Sequence, residues 1–243
     1  MKTVATIEAR MTSMRLPGKV LADAEGAPML SRMIDRLFRV SGLDGVVVAT
    51  TTNATDDPIA ALASEKGVGC WRGSEDDVLS RVLEAATDAG ADVIVELTGD
   101  CPLIDPAIVS QTIRHYFSTG ADYVSNVLTR SYPIGMDTQV FSRRILADVA
   151  SRTDDAIDHE HVSLYIYRHP EIYSLSGIVA PAGLHRPDVR LTLDTPEDLA
   201  LIRAVFAALL PRGIDFGLAE ILAYLDANPV VAALNRSVVH RHV

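Results

Sequence analysis

The chain has 243 residues, and at roughly 150 residues per domain that is room for one large domain or one domain with an appendage. With 22 basic and 32 acidic side chains the net charge is −10, which argues against a general binder of nucleic-acid phosphates but leaves room for a local anion site where a few cations share one loop. Hydrophobic residues at 48%, charged residues at 22% and a mean hydropathy of +0.18 exclude a disordered chain.

At the N-terminus, residues 1–7 are followed directly by Glu8 and Arg10, an apolar run too short for the core of a secretory signal. No other stretch approaches about 18 apolar residues without a charge. Cys70 and Cys101 form neither a metal-type pair nor a disulfide framework. The expectation is a soluble cytoplasmic protein with no membrane and no nucleic-acid partner.

Short β-branched runs alternate with longer segments of 3.6-residue period through the first half, the signature of a βα-repeating parallel sheet. In chain order, the pattern predicts strand 3–7, helix 28–40, strand 45–49, helix 58–66, strand 67–71, helix 75–89, strand 92–97, helix 106–118 and strand 122–125. Asp57-Pro58 and Asp105-Pro106 each place a cap acceptor before a proline at the first helical position. Past residue 126 the rhythm breaks. Residues 131–137 are turn-rich and 139–141 read as extended. Helices follow at 143–151 and 159–168, then strands at 172–179 and 190–193. A helix at 196–210 and short helices at 218–225 and 230–234 complete the chain. No internal repeat or linker interrupts it. The expected unit is a single domain over 1–243, with a nucleotide-binding half at 1–125, an acceptor-facing insertion at 126–190 and a C-terminal part from 190 to 243.

Where strand one ends, the loop Glu8-Ala9-Arg10-Met11-Thr12-Ser13-Met14-Arg15-Leu16-Pro17-Gly18-Lys19 begins. Open α/β sheets bind ligands at the carboxyl ends of their strands. Arg10, Arg15 and Lys19 put three cations on this one loop, which suits a polyphosphate; a solvated basic loop is the competing reading. It is neither a Walker A loop nor G-x-G-x-x-G, which counts against kinases, P-loop ATPases and classical dehydrogenases.

Three further blocks follow in order: residues 97–106 (LTGDCPLIDP), 132–137 (YPIGMD) and 190–199 (RLTLDTPEDL). Together with the first loop they resemble the sugar nucleotidylyltransferases, most closely the cytidylyltransferase branch. Within that branch the chain is similar to the spore coat polysaccharide biosynthesis protein F family, relatives of the CMP-KDO synthetases. The resemblance implies an α/β fold of the nucleotide-diphospho-sugar transferase kind, GT-A-like, with a mostly parallel Rossmann-like sheet flanked by helices.

Asp100 follows Gly99 at a predicted strand end, where a carboxylate can hold a hard cation or cap the next turn. Asp105 is accounted for as a helix cap, and Thr195, Glu197 and Asp198 as cap and dipole partners of the helix that Pro196 opens. Asp194 has no such account. The resemblance implies that Asp100 and Asp194 hold Mg²⁺, and that Ala9, Arg10, Ser13, Arg15 and Lys19 meet the nucleotide. Thr51, Thr52, Arg72, Gly73 and Ser74, in the next two crevice loops, read a pyrimidine and its ribose or serve only as turns. Arg81 reaches inward or lies on the surface. Tyr132, Gly135 and Asp137, with His159, are the expected acceptor contacts, against a purely structural turn. His159 stands where the family usually has arginine, and Gln139 where it often has glutamate, which points to an unusual acceptor. His159-Glu160-His161 lacks zinc-helix spacing.

The expected function is Mg²⁺-dependent transfer of CMP from CTP to a sugar-like acceptor in cell-surface polysaccharide synthesis, with Arg15, Lys19 and Asp100 carrying catalysis. The alternatives are a nucleotide-sugar-dependent glycosyltransferase, whose Asp-x-Asp motif is missing at these strand ends, and a non-catalytic nucleotide sensor. A homodimer is left open.

Overall fold

The computed structural model describes residues 1–239; positions 240–243, with which the expected C-terminal part ends, lie outside the described residues. The strands in chain order are β1 (Thr3–Glu8), β2 (Asp23–Ala24), β3 (Ala27–Pro28), β4 (Gly45–Thr51), β5 (Gly69–Gly73), β6 (Val93–Thr98), β7 (Tyr123–Ser125), β8 (Gln139–Ser142) and β9 (Leu175–Gly177). β2 and β3 pair as a short ribbon, and the other seven form one sheet in the order β5-β4-β1-β6-β8-β7-β9. β1 lies parallel to β4 and β6 on either side, and β5 is parallel to β4. Only β8 runs against its neighbours, so the sheet is mostly parallel, as expected.

The helices are α1 (Met29–Leu37), α2 (Asp57–Glu65), α3 (Val78–Asp88), α4 (Pro106–Thr119), α5 (Arg143–Ala150), α6 (Ala156–Glu160), α7 (Leu164–Arg168), α8 (Pro196–Leu209), α9 (Leu218–Ala227) and α10 (Pro229–Ala232). Residues 4–7, 46–49 and 93–95 are near-continuous buried apolar runs, as strands covered on both faces require. On one face Ala5, Ile7, Val48 and Val95 pack against α1, α2 and α4. On the other, Val4, Val47, Ala49 and Ile94 pack against α3 and α5. A third apolar cluster joins α8 and α9 to Leu103, Leu191 and Leu193. No helix among the described residues is long and apolar enough to cross a membrane.

The chain builds outward from β1 through β4 and β5, then crosses back to β6 on the other side of β1. That reversal opens a crevice at the carboxyl ends of β1 and β6, the usual place for a ligand in such sheets.

Four local expectations are corrected. Residues 190–193 form no strand: the segment has one parallel bridge, Arg190 with Ile134, because its partners are loops. Leu191 N–H donates to the Ile134 carbonyl at 2.7 Å, and Leu193 N–H to the Asp100 carbonyl at 2.8 Å. The helix expected at 159–168 is broken into α6 and α7, with Val162 at φ 46° between them. Asp57 does not cap α2; Asp56 holds the cap position, and the Asp57 carboxylate instead accepts from Arg72 at 2.6 Å. At α4 the expectation holds, with Asp105 accepting from Ala107 N–H at 2.7 Å before Pro106. Of the strand expected at 172–179, only Leu175–Gly177 pairs.

Candidate active site

β1 delivers the loop of residues 9–18 to the crevice, and buried Asp56 fixes where it goes. One Asp56 oxygen accepts from Met11 N–H at 2.8 Å and the other from Thr51 Oγ1 at 2.5 Å, tying the first crevice loop to the second. The loop closes with Gly18 N–H on the Met11 carbonyl at 2.9 Å, and Lys19 then starts a 3₁₀ turn. Its ammonium donates to Asp100 Oδ2 at 2.8 Å and to Asp194 Oδ1 at 2.7 Å. Two aspartates 94 positions apart in the chain thus face one cation position.

Backbone contacts explain how they meet. Gly99 N–H donates to the Glu8 carbonyl at 2.8 Å, and a β-carbon on Gly99 would lie 2.8 Å from that same oxygen, so only glycine lets the Asp100 turn lie against β1. The Asp100 carbonyl in turn takes Leu193 N–H and, at 3.2 Å, the Thr192 hydroxyl, which sets Asp194 beside Asp100.

Charges are dense here. Asp194 also accepts from Arg190 at 2.5 Å and pairs with Arg15 at 3.1 Å, and Arg190 is shared with buried Asp198. Burial pushes the Asp194 carboxyl up, but the Lys19 ammonium and the two guanidiniums outweigh it and hold the group below its usual range. For Lys19 burial pulls downward, and Asp100 and Asp194 together raise it nonetheless. Among the described residues no three His, Cys, Asp or Glu side chains gather as a metal centre. A cation placed here therefore rests on two hard carboxylates and draws its other ligands from phosphates and water, as Mg²⁺ commonly does.

A cavity of about 350 Å³ opens over this cluster. Of the expected nucleotide and metal residues, Ala9, Arg10, Ser13, Arg15, Lys19, Asp100 and Asp194 all line it. Thr51, Thr52, Arg72, Gly73 and Ser74 do not. Thr51 is buried on Asp56, and Thr52 N–H donates to the Gly73 carbonyl at 3.1 Å. Arg72 is spent on the carbonyls of Thr51 and Asn53, both at 2.8 Å, and on Asp57. Ser74 Oγ accepts from Asp77 N–H at 3.1 Å. They brace the crevice wall.

None of the four expected acceptor contacts, Tyr132, Gly135, Asp137 and His159, lines this cavity. The Tyr132 ring is 1% exposed within the α8–α9 apolar cluster, so the face it would offer a sugar is covered. Asp137 is held by Arg130 in a two-point pair at 2.5 and 3.1 Å. Both ring nitrogens of His159 are engaged, with Asp77 at 2.7 Å and the Thr153 carbonyl at 2.9 Å, and those contacts raise its pKa. Its neighbours Glu160 and His161 line the cavity instead.

Gly135 has a structural task. At φ 101°, its missing β-carbon would lie 2.6 Å from the Leu191 carbonyl carbon and 2.7 Å from Thr192 N. Gly135→Ala is expected to cost about 2 to 4 kcal/mol by combining backbone strain with overpacking. Urea denaturation should show this as a lower midpoint with an unchanged slope.

Glu8, Arg81 and Thr98 also line the cavity, and sequence reading assigned none of them to it. A signal was present for Glu96, a charged residue in a predicted strand that otherwise reads as buried, whereas Glu8 reads as the start of the loop and the structure makes it the last residue of β1. Burial pushes the Glu8 carboxyl up to about 7, opposed by Arg81 and aided by Asp100. A raised carboxyl contributes stability below the unfolded value, and that contribution is lost as pH rises through about 7. Glu8→Gln is therefore expected to match the wild-type melting temperature at about pH 5 and exceed it at about pH 8. Melting curves at the two pH values check this.

A mostly parallel α/β sheet with a cavity of about 350 Å³ at its switch point, lined by three loop cations and two convergent aspartates, fits a nucleotide-transfer class of enzyme. Residues 4–225 match the cytidylyltransferase family model; the chain belongs to this family and is a nucleotidyltransferase. It is 35% identical to the spore coat polysaccharide biosynthesis protein SpsF of Bacillus subtilis, over 93% of this chain and 95% of that one. A cytidylyltransferase structure from Leptospira borgpetersenii superposes with a TM-score of 0.91 at 29% identity, covering 100% of both chains. The fold is shared with a CMP:2-keto-3-deoxy-manno-octonic acid synthetase solved with CTP, at a TM-score of 0.63 and 22% identity over 85% of this chain and 99% of that one. The expected resemblance is thereby established, and the glycosyltransferase and sensor alternatives give way.

Proposed function

We propose that this cytidylyltransferase moves CMP from CTP to a sugar or sugar-like acceptor, Mg²⁺-dependently and in the cytoplasm, for the synthesis of a cell-surface polysaccharide. The observation that carries the reading is the Lys19 ammonium held between Asp100 and Asp194, with Arg15 paired to Asp194. Similarity to the spore coat polysaccharide protein supports the pathway class, and the CTP complex of the related synthetase supports the donor. An acceptor oxygen attacks the α-phosphorus in line; the new P–O bond forms as the α–β bond breaks and pyrophosphate leaves. Such a transfer asks the protein for positioning and charge neutralisation more than for covalent chemistry.

Arg10, Arg15 and Lys19 bind the triphosphate and neutralise the leaving group, while Ala9 and Ser13 bring backbone and hydroxyl to the nucleotide. Asp100 and Asp194 would hold Mg²⁺, which would supply polarisation of the α-phosphate. Thr51, Thr52, Arg72, Gly73 and Ser74 keep the crevice wall in place beside the nucleotide. The reading is tested by pyrophosphate release with each of the four ribonucleoside triphosphates against sugar phosphates, ulosonic acids and phosphonates. Release with CTP and Mg²⁺ on at least one acceptor is expected. Preference for another triphosphate, or no release on any, contradicts it.

A further inference from the structure

In the α3-facing layer of the sheet, Thr6 is the register partner of Glu96, and Glu8 of Thr98. Alternation along each strand puts these side chains on one face. Arg81 reaches them from α3 and is 2% exposed, while Glu96 is 4% exposed. Thr6 Oγ1, Glu8 Oε1, Glu96 Oε2 and Arg81 Nε are all buried without a hydrogen-bond partner. Native proteins leave few polar atoms unpaired, and each such atom calls for an explanation.

Part of the surroundings is committed. Arg81 spends its Nη1 on the carbonyls of Ser74 and Glu75. Behind Glu96, Gln139 Oε1 accepts from Tyr123 at 2.5 Å and from Ser163 at 2.7 Å, which closes that end. Glu8 and Arg81 line the cavity over Lys19 and Asp100, so the cavity is the direction left open. Glu8 and Arg81 thus offer the cavity a carboxyl beside a guanidinium, with Glu96 near Glu8 on the same sheet face, an arrangement that suits a hydrogen-bond donor at Glu8 next to an acceptor at Arg81.

We propose that Glu8 and Arg81, backed by Glu96, form a subsite for a donor group of the acceptor: an amine or hydroxyl that donates to Glu8, next to an oxygen that accepts from Arg81 Nε. An amino sugar presents such a pair on adjacent carbons. The subsite rests on the reading of this cavity as the place where nucleotide and acceptor meet. It selects a donor-rich acceptor over one presenting a carboxylate at that point.

The test uses the full chain, with D-glucosamine and D-glucuronate as probes, by saturation-transfer NMR with and without CTP and Mg²⁺. Glucosamine should bind at least about tenfold more tightly than glucuronate, the scale of one charge-assisted hydrogen bond. Glu8→Gln keeps the side-chain shape and removes the charge, and should erase that preference. Glu96→Gln is a second variant should the first fold poorly, with the same loss expected. Equal binding of the two sugars, or a preference that survives both substitutions, overturns the subsite. Calorimetry with CTP on the same samples reads the nucleotide site separately: loss of CTP binding in the wild type contradicts the proposed function, while the sugar pair still decides the subsite.

Discussion

Asp100→Asn is expected to lower turnover by about a thousandfold or more, the scale of removing a group that holds a catalytic cation at the reacting phosphate, while the protein stays folded. The side chain keeps its volume, and its oxygen can still accept from the Thr98 hydroxyl, which now donates at 2.7 Å. The contacts that knit the loops together use the Asp100 backbone carbonyl and are untouched. What is lost is the charge facing the Lys19 position. Pyrophosphate release and a melting curve on the same preparation check the two halves. Turnover near wild type, or wild-type turnover that persists in EDTA, would sink the metal site.

Lys19→Ala is expected to cost at least about a hundredfold in kcat/KM, because a half-buried charge-assisted contact to a triphosphate is lost together with the order it imposes on two carboxylates. CTP binding should weaken far more than CMP binding if the ammonium serves the outer phosphates, as proposed. The substitution also leaves Asp100 and Asp194 without the cation between them. Asp194 is held below its usual range against burial, chiefly by Lys19, so in the wild type it contributes stability above the unfolded carboxylate value and loses it as pH falls through the lower, folded one. The variant's stability deficit should therefore be largest near neutral pH and shrink as the carboxylates protonate. Equal losses for CTP and CMP by calorimetry would remove Lys19 from the outer phosphates.

The parallel sheet was legible because its strands carry continuous apolar runs and its helices begin on explicit caps, such as Asp105-Pro106 and Thr195-Pro196. The Arg10–Lys19 loop was legible from its three clustered cations and Asp194 because no local cap or dipole accounted for it, while Asp100 could also be read as a turn cap. Asp194 was placed at a strand end for the wrong reason: segment 190–193 is extended by loop contacts to Ile134 and Asp100, which have no local sequence signature. The acceptor side was less legible for a related cause. Turn chemistry at Tyr132, Gly135 and Asp137 looks the same whether it faces a sugar or, as here, an apolar cluster, a crossing backbone and Arg130. Asp56 was hidden as well, since its role depends on Met11, 45 residues away. Glu96 was readable as a charge inside a buried strand and Glu8 as the start of the loop, but their meeting is set by the β1–β6 register.

Whether the Lys19–Asp100–Asp194 cluster holds a triphosphate and a divalent cation together is read most directly by calorimetric titration of the wild type and Asp100→Asn with CTP, in Mg²⁺ and in EDTA. The expected result is wild-type affinity at least about tenfold higher in Mg²⁺, with that gain abolished in Asp100→Asn. Equal wild-type affinities in Mg²⁺ and EDTA, or a gain that survives the substitution, would contradict a shared metal and triphosphate site.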